Sequence, residues 1–126
     1  YLPTTKLLTG IALLNGTTVG TDSQYVILYD SAGNLLANSA VAGTLTAGPS
    51  VYQERSFTSK YFAVGPAQYF ACAQSNTGTD SLRMAITGIN GNLLTKGQTG
   101  VVYGTIPALT VPTTFNSAVG PYVYVF

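Results

Sequence analysis

Tyr25-Val-Ile-Leu-Tyr-Asp-Ser-Ala-Gly-Asn-Leu-Leu-Ala-Asn38 is the stretch that decides the fold class. Gln24 to Tyr29 is almost entirely apolar, which predicts a strand in the middle of a sheet. Asp30 then opens a turn by bonding its own backbone, and Gly33 or Asn34 supplies the positive φ that reverses the chain. Leu35 to Ala42 returns as the partner strand, so the segment reads as a β-hairpin.

The same grammar extends in both directions. Lys6 to Leu14 predicts a strand apolar on both faces, with Gly10 as a bulge or a point of close packing. Asn15-Gly16 carries a turn signal. Beyond a Gly/Pro loop over 44 to 50, Val51 to Thr58 predicts a strand in which Glu54 and Arg55 point to opposite faces, so that one of them turns inward or toward a neighbour. Phe62 to Gly65 is a short extended piece, Gly65-Pro66 a turn, and Ala67 to Gln74 a central strand. After a polar loop over 75 to 80, Leu82 to Thr87 alternates, with Leu82, Met84 and Ile86 expected in the core. From Gly88 onward the signals thin. Asn90-Gly91 and Lys96-Gly97 are turn signals, Gly100 to Ile106 reads as a strand, and Thr110 to Ala118 as an extended loop limited by Pro107 and Pro112. Pro121 to Phe126 alternates again, with three aromatics on one face, and so apolar a segment is expected to dock in a sheet of this chain or of a neighbour.

Helix signals are nearly absent, because Gly and Pro interrupt every window of a dozen residues. About eight strands separated by turn signals predict an all-β chain: a single β-sandwich domain over 1–126, closed in a jelly-roll-like way, with 88–126 as an extended loop plus a C-terminal strand.

Charge is the compositional anomaly. Only 7% of the 126 residues are Asp, Glu, Lys or Arg, against roughly 25% in an ordinary soluble domain. With 46% hydrophobic residues the chain buries enough to offset its ordering entropy. The outside is then built from Thr, Ser, Asn, Gln, Gly and Tyr, a surface with little repulsion between copies and suited to permanent neighbours. Lys6, Arg55, Lys60, Arg83 and Lys96 are scattered and the formal net charge is +1, so no basic stripe exists for nucleic acid. Apolar runs are too short for a membrane span. One cysteine, Cys72, excludes an intrachain disulfide and reads as a small buried hydrophobe. The chain starts at Tyr1 rather than Met, which fits a processed, exported or virion-type protein.

The catalytic inventory is short. With no His and only Asp22, Asp30, Asp80 and Glu54 as acids, a Ser-His-Asp triad and a His general base are ruled out. Two of the four carboxylates flanking a cleft would be needed for a glycosidase, but Asp30 has a turn role, Asp22 and Asp80 sit in loops where Asp holds backbone, and Glu54 lies beside Arg55. Ser59 and Lys60 fall on opposite strand faces. The loop carrying Asn76, Thr77 and Asp80 is the best place for a calcium ion, but one formal charge favours turn hydrogen bonding instead. Asn15-Gly16-Thr17 fits the glycosylation pattern and equally an Asn-Gly turn, the preferred reading. No cofactor, metal or catalytic residue is expected. Tyr122, Tyr124 and Phe126 are the candidate interface, since exposed aromatics anchor protein contacts and stack on sugars.

The hairpin Tyr25 to Ser39 followed by Gly65-Pro-Ala-Gln-Tyr-Phe-Ala-Cys-Ala73 resembles recurrent elements of two groups of jelly-roll modules: the Gly/Thr-rich modules of tailed-phage virion proteins, such as head decoration and tail or fibre accessory proteins, and the pre-peptidase C-terminal type domains of secreted bacterial enzymes. The likeness covers residues 8 to 87. It carries no site, because the calcium ligands of the secreted modules have no counterparts here. Low charge, a start at Tyr1 rather than Met and the apolar C-terminal strand favour the virion group, and with the short catalytic inventory the expectation is a non-enzymatic structural module on a virion surface, homo-oligomeric and held by other structural proteins. The alternative is a carbohydrate- or surface-binding module of a secreted or adhesive protein, with a glycan as ligand.

Overall fold

The computed structural model describes residues 1–86, 96–97, 100–115 and 119–126. The Asn90-Gly91 turn, Thr87, and the 116–118 end of the extended loop lie outside these residues. The described chain is all-β, with no helix: β1 Lys6–Leu14, β2 Ser23–Asp30, β3 Leu35–Asn38, β4 Thr44–Leu45, β5 Tyr52–Ala63, β6 Tyr69–Ser75, β7 Met84–Ile86, β8 Val119–Pro121 and β9 Val123–Val125. The count is nine rather than about eight, since β4 and the division of the C-terminal segment had no separate signal.

Two antiparallel sheets face each other in a sandwich-like arrangement. One has the order β5-β1-β9; in the other β2 is central, with β6 on one side and β3 and β4 on the other. A separate two-stranded ladder joins β7 to β8. Between the sheets Leu8, Ile11 and Leu13 of β1 meet Val26 and Leu28 of β2, with Ala37, Phe57 and Ala63 closing the core. Each such aliphatic side chain removed from water contributes roughly 1.5–3 kcal/mol. Period-two alternation sends Tyr25, Ile27 and Tyr29 to the other face of β2, and they are buried there as well. The unbroken apolar run of β2 is thus explained by cover on both sides.

The hairpin forms as its sequence predicts. Asp30 Oδ1 accepts from the N–H groups of Ala32 and Asn34, both at 2.9 Å, and Gly33 has φ 87°. Its return strand stops at Asn38 rather than Ala42. The Ser39 hydroxyl accepts from Val26 N–H at 2.9 Å, replacing a ladder carbonyl, and Gly43 N–H closes a turn on Ala40 C=O. β5 runs through Ala63 and so takes up Phe62 and Ala63 of the separate 62–65 piece. Leu8 pairs with Tyr61 and Gly10 with Ser56, so two steps along β1 match five along β5 and the long strand bulges there. Gly10 is also a point of close packing: a Cβ would meet the Phe126 ring and the Arg55 carbonyl.

Three expectations are corrected. Met84 is 48% exposed instead of buried, because β7 pairs with β8 outside the sandwich; Leu82 does pack against the core, and the Ile86 side chain lies outside the described residues. Gly100 to Ile106 is no strand: it lies over a sheet face rather than along an edge, with Gly100 and Gly104 at φ 77° and 84°. Pro121 to Phe126 is not one strand either. Tyr122 donates its N–H to Arg83 C=O at 3.1 Å and its C=O accepts from Leu14 N–H at 3.1 Å, so the chain changes partner there, from β7 to β1.

Candidate functional site

The outer face of the β5-β1-β9 sheet is built from a simple size rule. Gly10 and Ala12 on the central strand are small and point outward, and the aromatics of the C-terminal strand fold over them. Ala12 stands between Glu54 of β5 and Tyr124 of β9 in register. With only a methyl group between them, the Tyr124 phenol reaches across and donates to Glu54 Oε1 at 2.9 Å. The Glu54 carboxylate holds the phenol proton and raises the Tyr124 pKa, with burial adding to it. The Phe126 ring covers Gly10 and meets Tyr124 edge-on at 6.3 Å.

Of the predicted interface residues, Tyr122 and Tyr124 are exposed, at 46% and 39%, while Phe126 is half-buried by its seat on Gly10. Tyr52 joins them unpredicted: it is 41% exposed and its ring centroid lies 5.0 Å from that of Tyr124. A signal for it existed. Tyr52 and Glu54 share a face by the strand period, and Arg55 takes the opposite one.

Arg55 is the inward member of that pair, 2% exposed. Its guanidinium donates to Gln53 C=O at 3.1 Å, to Gln24 Oε1 at 3.0 Å and to Gln53 Oε1 at 3.3 Å; no carboxylate is among these acceptors. Burial lowers its pKa. Gln53 Oε1 also accepts from Asn15 Nδ2 at 3.1 Å and Ala47 N–H at 3.1 Å. Asn15 is wholly buried, and its Nδ2 donates to Ala47 C=O at 2.7 Å. The Asn15-Gly16 pair is therefore a buried junction rather than a turn, bridged to Leu82 and with Gly16 N–H on Ser81 C=O at 2.7 Å.

Asp22 and Asp80 lie at the same end of the sandwich and hold each other's backbone. Asp80 Oδ2 accepts from Thr21 N–H at 3.0 Å, Asp22 N–H at 2.7 Å and the Thr46 hydroxyl. Asp22, fully buried, accepts in return from Ser75 Oγ at 2.9 Å, from the N–H groups of Thr79 and Asp80 at 3.1 Å, and from the Thr77 hydroxyl. Burial opposes ionisation of Asp22, but the bonds from Thr77, Asp80 and Ser75 outweigh it and hold the pKa below the usual value. Asp80 behaves alike: burial raises it, and Thr46 with the backbone of Asp22, Thr21 and Gly20 brings it down. Asn76 Oδ1 accepts from Ser23 N–H at 2.9 Å. The oxygens of the 76–80 loop thus face the 20–23 backbone, and among the described residues no three of His, Cys, Asp or Glu gather as metal ligands would. Cys72 is half-buried on the outer face of β6, where burial pushes its thiol up to about 11.

No known family model, no curated protein and no solved structure matches this chain.

Proposed function

We propose that the chain is a non-enzymatic structural module of a virus- or phage-type particle, a decoration or accessory protein at the virion surface held by protein–protein contacts, and that the contact runs through the outer face of the β5-β1-β9 sheet. One observation carries the reading: Tyr52 and Tyr124 stand together, each about 40% exposed, beside the Glu54 carboxylate, with Tyr122 exposed two residues before Tyr124, in a chain with 7% charge. Tyrosines of this exposure supply rigid contact area at low entropic cost, and a chain of so few charges brings little repulsion to a second copy. The jelly-roll winding belongs to the same proposal; it is supported by the first and last strands, β1 and β9, lying side by side in one sheet.

The full-length chain should self-associate at micromolar to millimolar concentration in sedimentation experiments, and a Tyr122→Ser/Tyr124→Ser double variant should remain monomeric with an unchanged far-UV spectrum. A monomeric wild type without affinity for a particle lattice overturns the reading. A glycan-binding module is the second reading, favoured by the Glu54 carboxylate set among tyrosine rings. A glycan array probed with wild type and Tyr124→Ala separates the two, since only that reading expects signals lost in the variant.

A further inference from the structure

Residues 100–115 cross the outer face of the sheet centred on β2 without adding a strand to it. Among the described residues their one backbone–backbone hydrogen bond is internal, Thr105 N–H to Val102 C=O at 3.2 Å. Pro107 and Pro112 lack the N–H a ladder would use. Side chains hold the segment instead. The Tyr29 phenol donates to Pro107 C=O at 2.6 Å and the Tyr103 phenol to Ala42 C=O at 2.9 Å, while the Tyr25 phenol is shared between Gln74 Oε1 and Thr105 C=O, the latter at 3.2 Å. Tyr103, Ile106 and Leu109 pack on Tyr25, Ile27 and Tyr29. Tyr103 meets Tyr25 edge-on at 5.4 Å, and Phe115 stacks on Phe70 at 6.3 Å. Gly33 is needed because a Cβ there would run into Leu109 C=O.

We propose that residues 100–115 are a releasable strap, which leaves the β2–β6 face as one unit while both sheets stay folded. Lifting it breaks no inter-strand bond among the described residues. The freed phenols and carbonyls turn to water, whereas opening either sheet breaks the β1–β5 or β2–β6 ladder along most of its length. Opening free energies within one protein range from near zero to the global value; the strap's is set by its side-chain contacts with Tyr25, Ile27 and Tyr29, with no ladder bond added to them among the described residues. Release bares Tyr25, Ile27, Tyr29 and Phe70 as one apolar face.

Native-state proteolysis of the full chain tests it. Thermolysin is added across denaturant concentrations below the global transition, and cleavage beside Val102 and Leu109 is followed by mass. When reclosing is fast, the cleavage rate reports the population of the open form. The expected result is cleavage with a denaturant slope well below that of global unfolding, and a nicked product that keeps its β spectrum. Tyr29→Phe, which deletes the bond to Pro107, should accelerate that cleavage about fivefold, the factor one net hydrogen bond carries, with its shallow denaturant slope unchanged. Cleavage that follows the slope of global unfolding overturns the proposal whether or not the variant folds, and so does an unchanged rate in a folded Tyr29→Phe.

Discussion

The polar end of the sandwich and the 100–115 strap solve one problem, holding loops to sheets, by opposite chemistry. At the polar end Asn15, Asp22, Gln24, Gln53, Arg55 and Asp80 bind backbone and one another, so the 20–23, 44–48 and 75–81 segments are fastened by directed bonds in a buried setting. The strap is fastened by apolar packing and three phenols. Directed buried bonds fail all at once, because a lost partner strands others without water. Packing with phenol contacts at its margin fails locally, because each freed group has solvent to turn to. The lesson is that low charge does not mean low polarity inside: this chain concentrates its few charges where they fix geometry.

Changes to the polar end should therefore loosen the whole chain together, whereas changes to the strap should show in addition as local opening below the global transition. The largest effect is expected from Arg55→Ala, which leaves Gln24 Oε1 and Gln53 C=O without donors and opens a cavity, a loss of about 3 kcal/mol in chemical denaturation. Loss of less than about 1 kcal/mol would mean that the network is solvent-bridged and the contrast false. Asn15→Ala should cost about 2 kcal/mol for the same reason. Gly33→Ala comes next, at about 1–2 kcal/mol for a β-carbon at φ 87°. Much of its effect should appear as faster cleavage at Leu109, since the new Cβ pushes on the Leu109 carbonyl.

The two regions should also separate on the pH axis. Asp22 and Asp80 have folded pKa values below the ordinary 3.8. Their contribution is thus complete above that value and lost as pH falls through the lower, folded one. Tyr29 is the mirror case: burial pushes its phenol from 10.0 to about 12, so its contribution is complete below pH 10 and lost as pH rises toward 12. Acid should loosen the polar end and unfold the chain, whereas alkali should release the strap first, seen as faster cleavage at Leu109 before the β spectrum changes. Coincident transitions in alkali would erase the distinction. The smallest effect belongs to Tyr124→Phe, which removes an exposed bond to Glu54 and should shift stability by no more than about 0.5 kcal/mol.

Much of the framework was legible in the sequence. The 25–38 hairpin, the bounds of β1, the inward turn of one member of the Glu54/Arg55 pair and the docking of the C-terminal aromatics follow from period-two alternation and turn chemistry, which act between residues close in the chain. The aromatic face was legible in part: the C-terminal row was visible as a pattern, but Tyr52 joins it only through the pairing of β1 with both β5 and β9. Met84 was misread because alternation shows that two faces differ and does not show that a core lies against either.

What the sequence determined by itself is the β character, the hairpin, the absence of a histidine-based catalytic centre and the shortage of charge. Tertiary structure alone decided that Asp22 and Asp80, 58 residues apart, clasp each other, that Asn15 is a buried junction, and that 100–115 is a cover rather than a strand. The physical reason is common to all three. Local propensity sets the shape of a segment, while its partner is chosen by long-range burial: an apolar second face on β2 demands a cover, and only the folded chain shows which segment supplies it.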